Sequence, residues 1–144
     1  MKPIIILLLL FTNQCFAVSL KDTSYGSVIV SEVTSIYDAD TFRVNINEWP
    51  DIVGRRMSVR VNGIDAPEIR GKCKVEKRLA RIAKQFTVKL LRSGKLIELR
   101  NIKRGKYFRL LADVYIDNVS LSGELINNHH ARVYDGGTKS NWCK

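Results

Sequence analysis

Alternating apolar and polar positions predict a β-rich first half of the chain. Residues 27–36 alternate with one slip in the period, which favours a long strand that contains a bulge. Residues 42–46 and 57–61 form two shorter alternating runs. The connection between them, residues 47–56, is polar and contains a proline and a glycine, so we expect a hairpin loop.

The hydrophobic period changes to that of a helix at position 75. Between residues 75 and 91, six apolar side chains fall within about 100° of one another on a helical wheel, and Lys and Arg side chains cover another face. This pattern predicts an amphipathic helix that ends at Ser93 and Gly94. Its predicted core-facing residues are Val75, Leu79, Ile82, Ala83, Phe86 and Leu90.

Two further strands are predicted at residues 95–99 and 110–116, separated by a basic loop at 101–106. Residues 117–118 indicate a turn, and a serine that follows it can cap a short helix. Five strands with a helix between the third and the fourth are the order of an OB-type barrel. We therefore expect a mainly β fold with helices (α+β), an OB-type five-stranded β-barrel with two to three α-helices.

The first 17 residues have the pattern of a secretory signal peptide. Lys2 precedes eight consecutive apolar residues, and the small residues Cys15 and Ala17 fit a cleavage pocket. A membrane anchor would need roughly 18 apolar residues in a row. We expect removal of residues 1–17, a single domain at 18–144, a secreted or periplasmic location, and no stable membrane association after processing.

The chain is strongly basic. It has 24 Lys and Arg residues against 14 Asp and Glu, a formal net charge of +10, and loss of Lys2 would leave +9. This balance favours a polyanionic partner such as nucleic acid. A structural exported protein that binds anions of the cell envelope would carry the same charge, so charge alone does not select the chemistry.

Cysteine use follows from the predicted export. Cys73 and Cys143 would remain as an even pair in an oxidising compartment, which predicts a disulfide between them. The bridge would close a loop of about 70 residues and stabilise the fold by roughly 4 kcal/mol in the chain-entropy model.

Three acids and two arginines supply the parts of a metal-assisted phosphodiesterase. Asp40 lies in an Asp-Ala-Asp-Thr turn, and Asp65 and Glu68 lie in an Asp-Ala-Pro-Glu turn. Two carboxylates can share a hard cation, and a third can handle a proton of water. Arg60 and Arg109 can each grip a phosphate bidentately. Either turn alone is also ordinary turn chemistry, so the argument depends on finding all of these residues together.

Four motifs resemble, in order and spacing, the staphylococcal nuclease (thermonuclease) family over residues 28–134. They are Asp-Ala-Asp-Thr-Phe from position 38, Val-Arg-Val-Asn-Gly-Ile-Asp-Ala-Pro-Glu from 59, Tyr-Phe-Arg-Leu-Leu-Ala from 107, and Ala-Arg-Val-Tyr from 131. The resemblance implies an OB-type barrel that binds calcium (Ca²⁺) and hydrolyses phosphodiester bonds of DNA and RNA.

The resemblance also implies a role for each matching residue. Asp40 and Asp65 would be carboxylate ligands of calcium, with the backbone carbonyl of Ala66 as a third ligand. Glu68 would act on the attacking water as a general base or as its positioner. The remaining implied roles are phosphate binding by Arg60 and Arg109 and nucleotide contacts by Tyr107 and Tyr134.

The chain departs from the family pattern at Ala39 and Phe108, where glycine is usual, and at Gly105, where an acidic residue often opens the loop. The departures at Gly105 and Phe108 concern the loop that aims Arg109, and together the departures bear on rate and nucleotide contacts more than on the class of reaction. We expect a monomeric, exported, calcium-dependent nuclease that acts on DNA and/or RNA. The alternative is a non-catalytic basic OB-fold module that binds single-stranded nucleic acid by charge and stacking.

Overall fold

The computed structural model describes residues 24–139 and 141–143. The predicted signal peptide at 1–17 lies outside these residues. No helix within the described part of the chain is long and apolar enough to cross a membrane.

The described residues form nine strands and three helices. In chain order they are β1 Val28–Ile29, β2 Glu32–Asp38, β3 Thr41–Asn45, α1 Asp51–Gly54, β4 Met57–Val61, β5 Ile64–Asp65, α2 Lys74–Ser93, β6 Ile97–Arg104, β7 Leu110–Ile116, β8 Val119–Ser120, α3 Leu121–Asn127 and β9 Arg132–Val133.

The first predicted strand is split into β1 and β2, and this split lets the sheet curl into an OB-type barrel. The strands of the main sheet are ordered β1-β6-β7-β4-β3-β2. The strands β1 and β2, which follow one another along the chain, therefore lie at opposite edges of this order. At the junction, the Val30 N–H donates to the Ile97 carbonyl and the Ser31 N–H to the Asn45 carbonyl, each at 2.9 Å. The slip in the sequence pattern therefore marks the point at which the chain changes its pairing partner.

Alternation within the strands fills the barrel with apolar side chains, as the sequence predicts. Each such side chain contributes roughly 1.5–3 kcal/mol on full burial. The largest wholly buried residues of the strands are Phe42, Val44, Val59, Val61, Ile64, Leu99, Ile102 and Val114.

The helix predicted at 75–91 is α2, but its buried face is displaced from the predicted one. Ile82 is 49% exposed and Val75 is also exposed, whereas small or polar residues pack inward. Thr87 shows the reason, because its hydroxyl donates to the Ala39 carbonyl at 2.9 Å and so brings the helix close to the β2–β3 turn. The buried residues of α2 are Glu76, Ala80, Ala83, Thr87 and Leu91.

The loops differ from their predictions in two places. The region predicted as a basic loop at 101–106 belongs to β6 as far as Arg104, with an irregular register after Arg100. The predicted hairpin loop at 47–56 contains the short helix α1. The turn at Asp117 and Asn118 is confirmed, and both residues have positive φ, as tight hairpins require.

The predicted disulfide is present and lies beside the region of the predicted site. Cys73 and Cys143 are bonded, with their Cα atoms 5.9 Å apart. Cys73 is also the N-cap of α2, where its sulfur accepts the Glu76 N–H at 3.4 Å. The bridge thus joins the start of the main helix to the C-terminal segment.

Candidate active site

The β2–β3 turn places Asp40 against the segment that follows β4. The Asp40 carbonyl accepts the Val61 N–H at 2.9 Å, and its carboxylate Oδ2 accepts the Ala66 N–H at 3.2 Å. The hydroxyl of Thr41 donates to the other carboxylate oxygen, Oδ1, at 2.8 Å. These bonds fix a buried carboxylate beside the Asp-Ala-Pro-Glu turn.

Arg60, in the middle of β4, joins the two aspartates that the sequence places 25 positions apart. Its Nη1 lies 3.0 Å from Asp40 Oδ2, and its Nη2 lies 3.7 Å from Asp65 Oδ1. Nη2 also donates to the Ile64 carbonyl at 3.4 Å. The side chain is 15% exposed, so one edge of the guanidinium faces the carboxylates in a largely dry environment.

Asp65 is buried, and its two oxygens have different surroundings. Oδ2 accepts the Trp142 indole N–H at 3.2 Å. Oδ1 lies 2.9 Å from the Lys139 ammonium and near Arg60, but it accepts no hydrogen bond of regular geometry. A buried carboxylate oxygen that is incompletely satisfied is uncommon in folded proteins and marks a position where a further ligand would be favourable.

Glu68 lies at the solvent edge of the same group of acids. Its Oε1 lies 2.8 Å from the Lys139 ammonium, and its carboxylate shares a hydrogen bond with the Asp38 carboxyl. Burial alone would raise the pKa of Glu68, but Lys139, the Asp38 hydrogen bond and the charge of Arg60 hold the pKa below its ordinary value. Glu68 is therefore ionised at neutral pH.

For Asp40 and Asp38 the net pKa shift is upward, opposite to that of Glu68. Burial raises the pKa of Asp40, although Arg60, Thr41 and the Ala66 N–H oppose the shift. Burial, with Glu68 as a neighbour, raises the pKa of Asp38 from 3.8 to about 6, against the Ile69 N–H bond that lowers it. Buried acids that crowd one another are typical of a site that binds a cation.

We expect the substitution Asp38→Asn to change how stability depends on pH in the metal-free protein. Between about pH 4 and 6 the folded chain holds a proton on Asp38 that the unfolded chain has released. The stability from this proton is present below the unfolded pKa and is lost as pH rises through the folded pKa. Wild type therefore loses this stability as pH rises from about 4 to about 6, whereas the variant does not, because asparagine does not titrate. Over this window the free energy of unfolding of the variant, relative to that of wild type, should increase by about 1 kcal/mol after allowance for solvent screening. Urea denaturation in chelator at several pH values measures the difference, and a constant difference would contradict the raised pKa.

The donor atoms of the site suit a hard cation. The carboxylates of Asp40 and Asp65 and the backbone carbonyl of Ala66 offer oxygen alone, which calcium prefers over nitrogen or sulfur. The incompletely satisfied Oδ1 of Asp65 belongs to this set. The residues that the sequence predicts as ligands therefore fit calcium.

Arg109 lies immediately before β7, on the strand that runs parallel to β4. The register pairs Leu110 with Val59 and Leu111 with Arg60. Because side chains alternate along a strand, Arg109 lies on the same face as Leu111 and Arg60. The structure thus brings both predicted phosphate-binding arginines to one face of the barrel.

The loop that carries Arg109 explains the departure at Gly105 and shows the backbone conformation that Phe108 adopts in place of a glycine. The Gly105 N–H donates to the Arg109 carbonyl at 2.7 Å, and Tyr107 and Phe108 both have positive φ. A Cβ atom added at Gly105 would lie 2.8 Å from the Arg109 carbonyl oxygen, closer than real Cβ contacts. Glycine is needed at 105 in this conformation, and Phe108 adopts the left-handed backbone that a glycine would adopt without strain. The guanidinium carbon of Arg104 lies over the Phe108 ring, 4.8 Å from the centroid of that ring.

We expect Gly105→Ala to lower the free energy of unfolding by about 1–3 kcal/mol, because the clashing atom is a backbone oxygen that cannot move alone. Gly123→Ala is a matched control, since the nearest atom to a Cβ there is 3.6 Å away and the residue lies in α3. It should be neutral or slightly stabilising. Urea denaturation of both variants is the measurement, and equal stability would contradict the loop geometry.

The two predicted nucleotide-binding tyrosines occupy different places. Tyr134 lines a cavity of about 170 Å³ together with Arg60, and its hydroxyl donates to the Gly137 carbonyl at 2.8 Å. Tyr107 is 91% exposed at the tip of the β6–β7 loop. The structure therefore brings Tyr134 beside Arg60 and leaves Tyr107 on the loop surface.

Lys139, Trp142 and Asp38 are site residues to which the sequence reasoning gave no role. Lys139 and Trp142 contact Asp65, and Asp38 contacts Glu68. The predicted bridge at Cys143 was a signal for the first two, because it already placed the C-terminal segment near the Asp-Ala-Pro-Glu turn. The position of Asp38 two residues before Asp40 was the corresponding signal for the third.

A second, larger cavity of about 410 Å³ lies beside these acids. It is lined by Asp65, Glu68, Arg70, Lys72, Lys139 and Trp142, among others. Glu76 shapes it, because its carboxylate accepts the backbone N–H of Lys72 at 2.8 Å and that of Glu68 at 3.4 Å. Asp65 and Glu68 thus line this cavity together with basic side chains, whereas the smaller cavity is lined by Arg60 without these acids.

Comparison with known proteins identifies the family. A search of curated proteins finds no match. The family model described as staphylococcal nuclease homologue matches residues 58–142, which is more than half of the chain and includes Arg60, Asp65, Glu68 and Arg109. With the OB-type barrel already described, this match shows that the chain belongs to the staphylococcal nuclease family.

Proposed function

We propose that this protein is an exported, monomeric, calcium-dependent nuclease that hydrolyses phosphodiester bonds of DNA and/or RNA. One observation carries the proposal. Arg60 forms ion pairs with Asp40 and Asp65, and Lys139 forms ion pairs with Asp65 and Glu68. Membership of the family supports a nuclease-type or nucleic-acid-binding domain. The net charge of +10 suits a polyanionic substrate.

Asp40, Asp65 and the Ala66 carbonyl are the residues that would hold calcium. Calcium bound there supplies positive charge against the anionic oxygens of a phosphodiester. The acids that hold it are buried, so they are fixed before substrate arrives and need little reorganisation.

Glu68 is the residue that accepts a proton from the attacking water or positions that water. It is ionised at neutral pH and partly exposed, so it can meet water without unfolding any element. This arrangement separates the acid that works on water from the acids that hold the cation.

Arg60 and Arg109 are the donors for the phosphate. Arg60 has five N–H donors and uses only part of them on the carboxylates and the Ile64 carbonyl. Its planar group can therefore contact a carboxylate and a phosphate oxygen at once. Arg109 lies on the same face and adds charge where negative charge develops on the phosphate.

A non-catalytic module that binds single-stranded nucleic acid is the alternative. The aromatic side chains of Tyr107 and Phe108 are exposed at the tip of the β6–β7 loop beside Arg104, and such a platform can stack on bases. A pure binding surface, however, gains nothing from three buried or half-buried acids, which repel a polyanion. The acids therefore favour the enzyme.

The deciding experiment is cleavage of supercoiled plasmid DNA, and of a structured RNA, by the purified protein with calcium or with excess chelator. We expect nicking and linearisation that require calcium. Binding of labelled single strands without cleavage of either substrate would replace the enzyme with the binding module.

Export has a separate test. We expect the protein recovered from the periplasm or medium of an expressing cell to begin at Val18, because Ala17 ends the predicted signal peptide. Intact-mass spectrometry measures this, and a recovered chain that retains residues 1–17 would contradict the predicted processing.

A further inference from the structure

A lysine from the C-terminal segment lies inside the group of acids. Lys139 Nζ is 2.9 Å from Asp65 Oδ1 and 2.8 Å from Glu68 Oε1. Asp65 is a residue that would hold calcium, and Glu68 is the residue that would act on water. A single ammonium group therefore contacts both a proposed calcium ligand and the residue proposed to act on water.

The fold holds this lysine in place from both sides. Before it, the Tyr134 hydroxyl donates to the Gly137 carbonyl at 2.8 Å, and the Tyr134 N–H donates to the Gly63 carbonyl at 2.9 Å. The segment from Tyr134 to Lys139 therefore starts from a fixed point next to β5.

After Lys139, the chain is anchored more strongly. Trp142 is buried and donates its indole N–H to Asp65 Oδ2 at 3.2 Å. The Arg132 guanidinium lies over the indole ring, 3.9 Å from its centroid, and also donates to the Asn141 carbonyl at 3.1 Å. Cys143 is bonded to Cys73 at the start of α2. The backbone on either side of Lys139 is thus held by hydrogen bonds, by the packing of Trp142 and by the disulfide.

We propose that Lys139 is the counter-ion of the metal-free site. Its ammonium group pairs with the carboxylates of Asp65 and Glu68 when calcium is absent, and calcium displaces it on binding. Lys139 then sets the calcium affinity of the site. This inference rests on the proposed function, because it requires Asp65 to be a calcium ligand.

Charge and mobility both support displacement. An ammonium group and a divalent cation that share Asp65 Oδ1 would repel each other strongly in this buried setting. The lysine side chain is 45% exposed, and its flexible four-carbon stem can move the charge into solvent while Trp142 and Cys143 stay in place. Arg60, by contrast, is largely buried and bound to Asp40 as well, so it has less freedom to leave.

Calcium titration by calorimetry tests the effect on affinity. We expect Lys139→Met to lower the calcium Kd by about tenfold or more, since one competing charge is gone. Lys139→Arg should stay close to wild type because it restores a cation. Lys89→Met is the matched control, as it removes the same charge from an exposed position of α2 and should leave the Kd unchanged.

Chemical labelling of the wild-type protein tests displacement itself and needs no variant to fold. Amine acetylation followed by peptide mass spectrometry reports the reactivity of each lysine. We expect Lys139 to react slowly without metal and several-fold faster with saturating calcium, whereas the rate at Lys89 stays constant. A structural role alone would leave the Lys139 rate unchanged.

The outcomes separate this inference from the proposed function. If wild type and Lys139→Met bind calcium with equal Kd, or if the labelling rate of Lys139 does not rise with calcium, the displacement is wrong while the metal site stands. If neither protein binds calcium, the proposed metal site is wrong and the inference is overturned with it.

Discussion

Replacing Asp65 with alanine is expected to reduce calcium-dependent cleavage of DNA to background while the barrel stays folded. Asp65 is the proposed calcium ligand whose Oδ1 is buried without a regular hydrogen bond, so its loss removes the most available donor of the site. The Trp142 indole N–H loses its acceptor, and Lys139 and Arg60 each lose one ion-pair partner. We expect these losses to lower the free energy of unfolding by about 1–3 kcal/mol, which leaves the barrel folded.

The control for this variant is Asp51→Ala. Asp51 is 82% exposed and pairs only on the surface with Arg55, so its removal takes away the same charge far from the site. Cleavage assays with calcium, together with thermal unfolding of both variants, give the comparison. Wild-type cleavage by Asp65→Ala, or undiminished cleavage by the wild-type protein in excess chelator, would remove Asp65 from the site.

Glu68→Gln is expected to lower kcat by about 10² or more with little change in KM. Glutamine keeps the size of the side chain, but it cannot take a proton. The proposed calcium ligands Asp40 and Asp65 are untouched. The loss should therefore fall on the chemical step and leave substrate binding nearly intact.

Glu48→Gln is the control for the charge change, because Glu48 is exposed in the β3–β4 connection. Initial rates on a defined oligonucleotide, with a parallel binding measurement at fixed salt, separate kcat from affinity. An unchanged kcat in Glu68→Gln would show that another group handles the water. A loss of binding as large as the loss of rate would show that Glu68 acts in holding substrate.

The sequence predicted the barrel well because its signals are local. Alternation identified the strands, and the order of strands and helix identified the OB type. The division of the first strand could not be read in the same way, because it depends on pairing with β6 and β3 at opposite ends of the sheet. The displaced face of α2 has a similar cause. Thr87 is buried through a bond to the distant Ala39 carbonyl, and Glu76 through bonds to the backbone of the loop before the helix, neither of which hydrophobic periodicity detects.

The part of the site that was predicted also depends on local signals, because its residues lie in short motifs. The placement of Asp40 and Asp65 beside Arg60 follows the motifs, and the structure brings these three residues together as expected. Lys139 lies 71 positions after Glu68 and has no motif of its own, so its contact with Glu68 was visible only after folding. For the C-terminal segment, the sequence supplied one long-range contact, the bridge between Cys73 and Cys143.

The order of these pieces along the chain has a consequence for truncation. Every described strand, and each of Asp40, Arg60 and Asp65, precedes Lys139 and Trp142. A chain cut ahead of Lys139 would therefore keep the strands and the carboxylates but lose the ammonium, the indole and the disulfide that lie against them. Part of the resting counter-charge of Asp65 thus comes from a segment that the strand pairing of the barrel does not include.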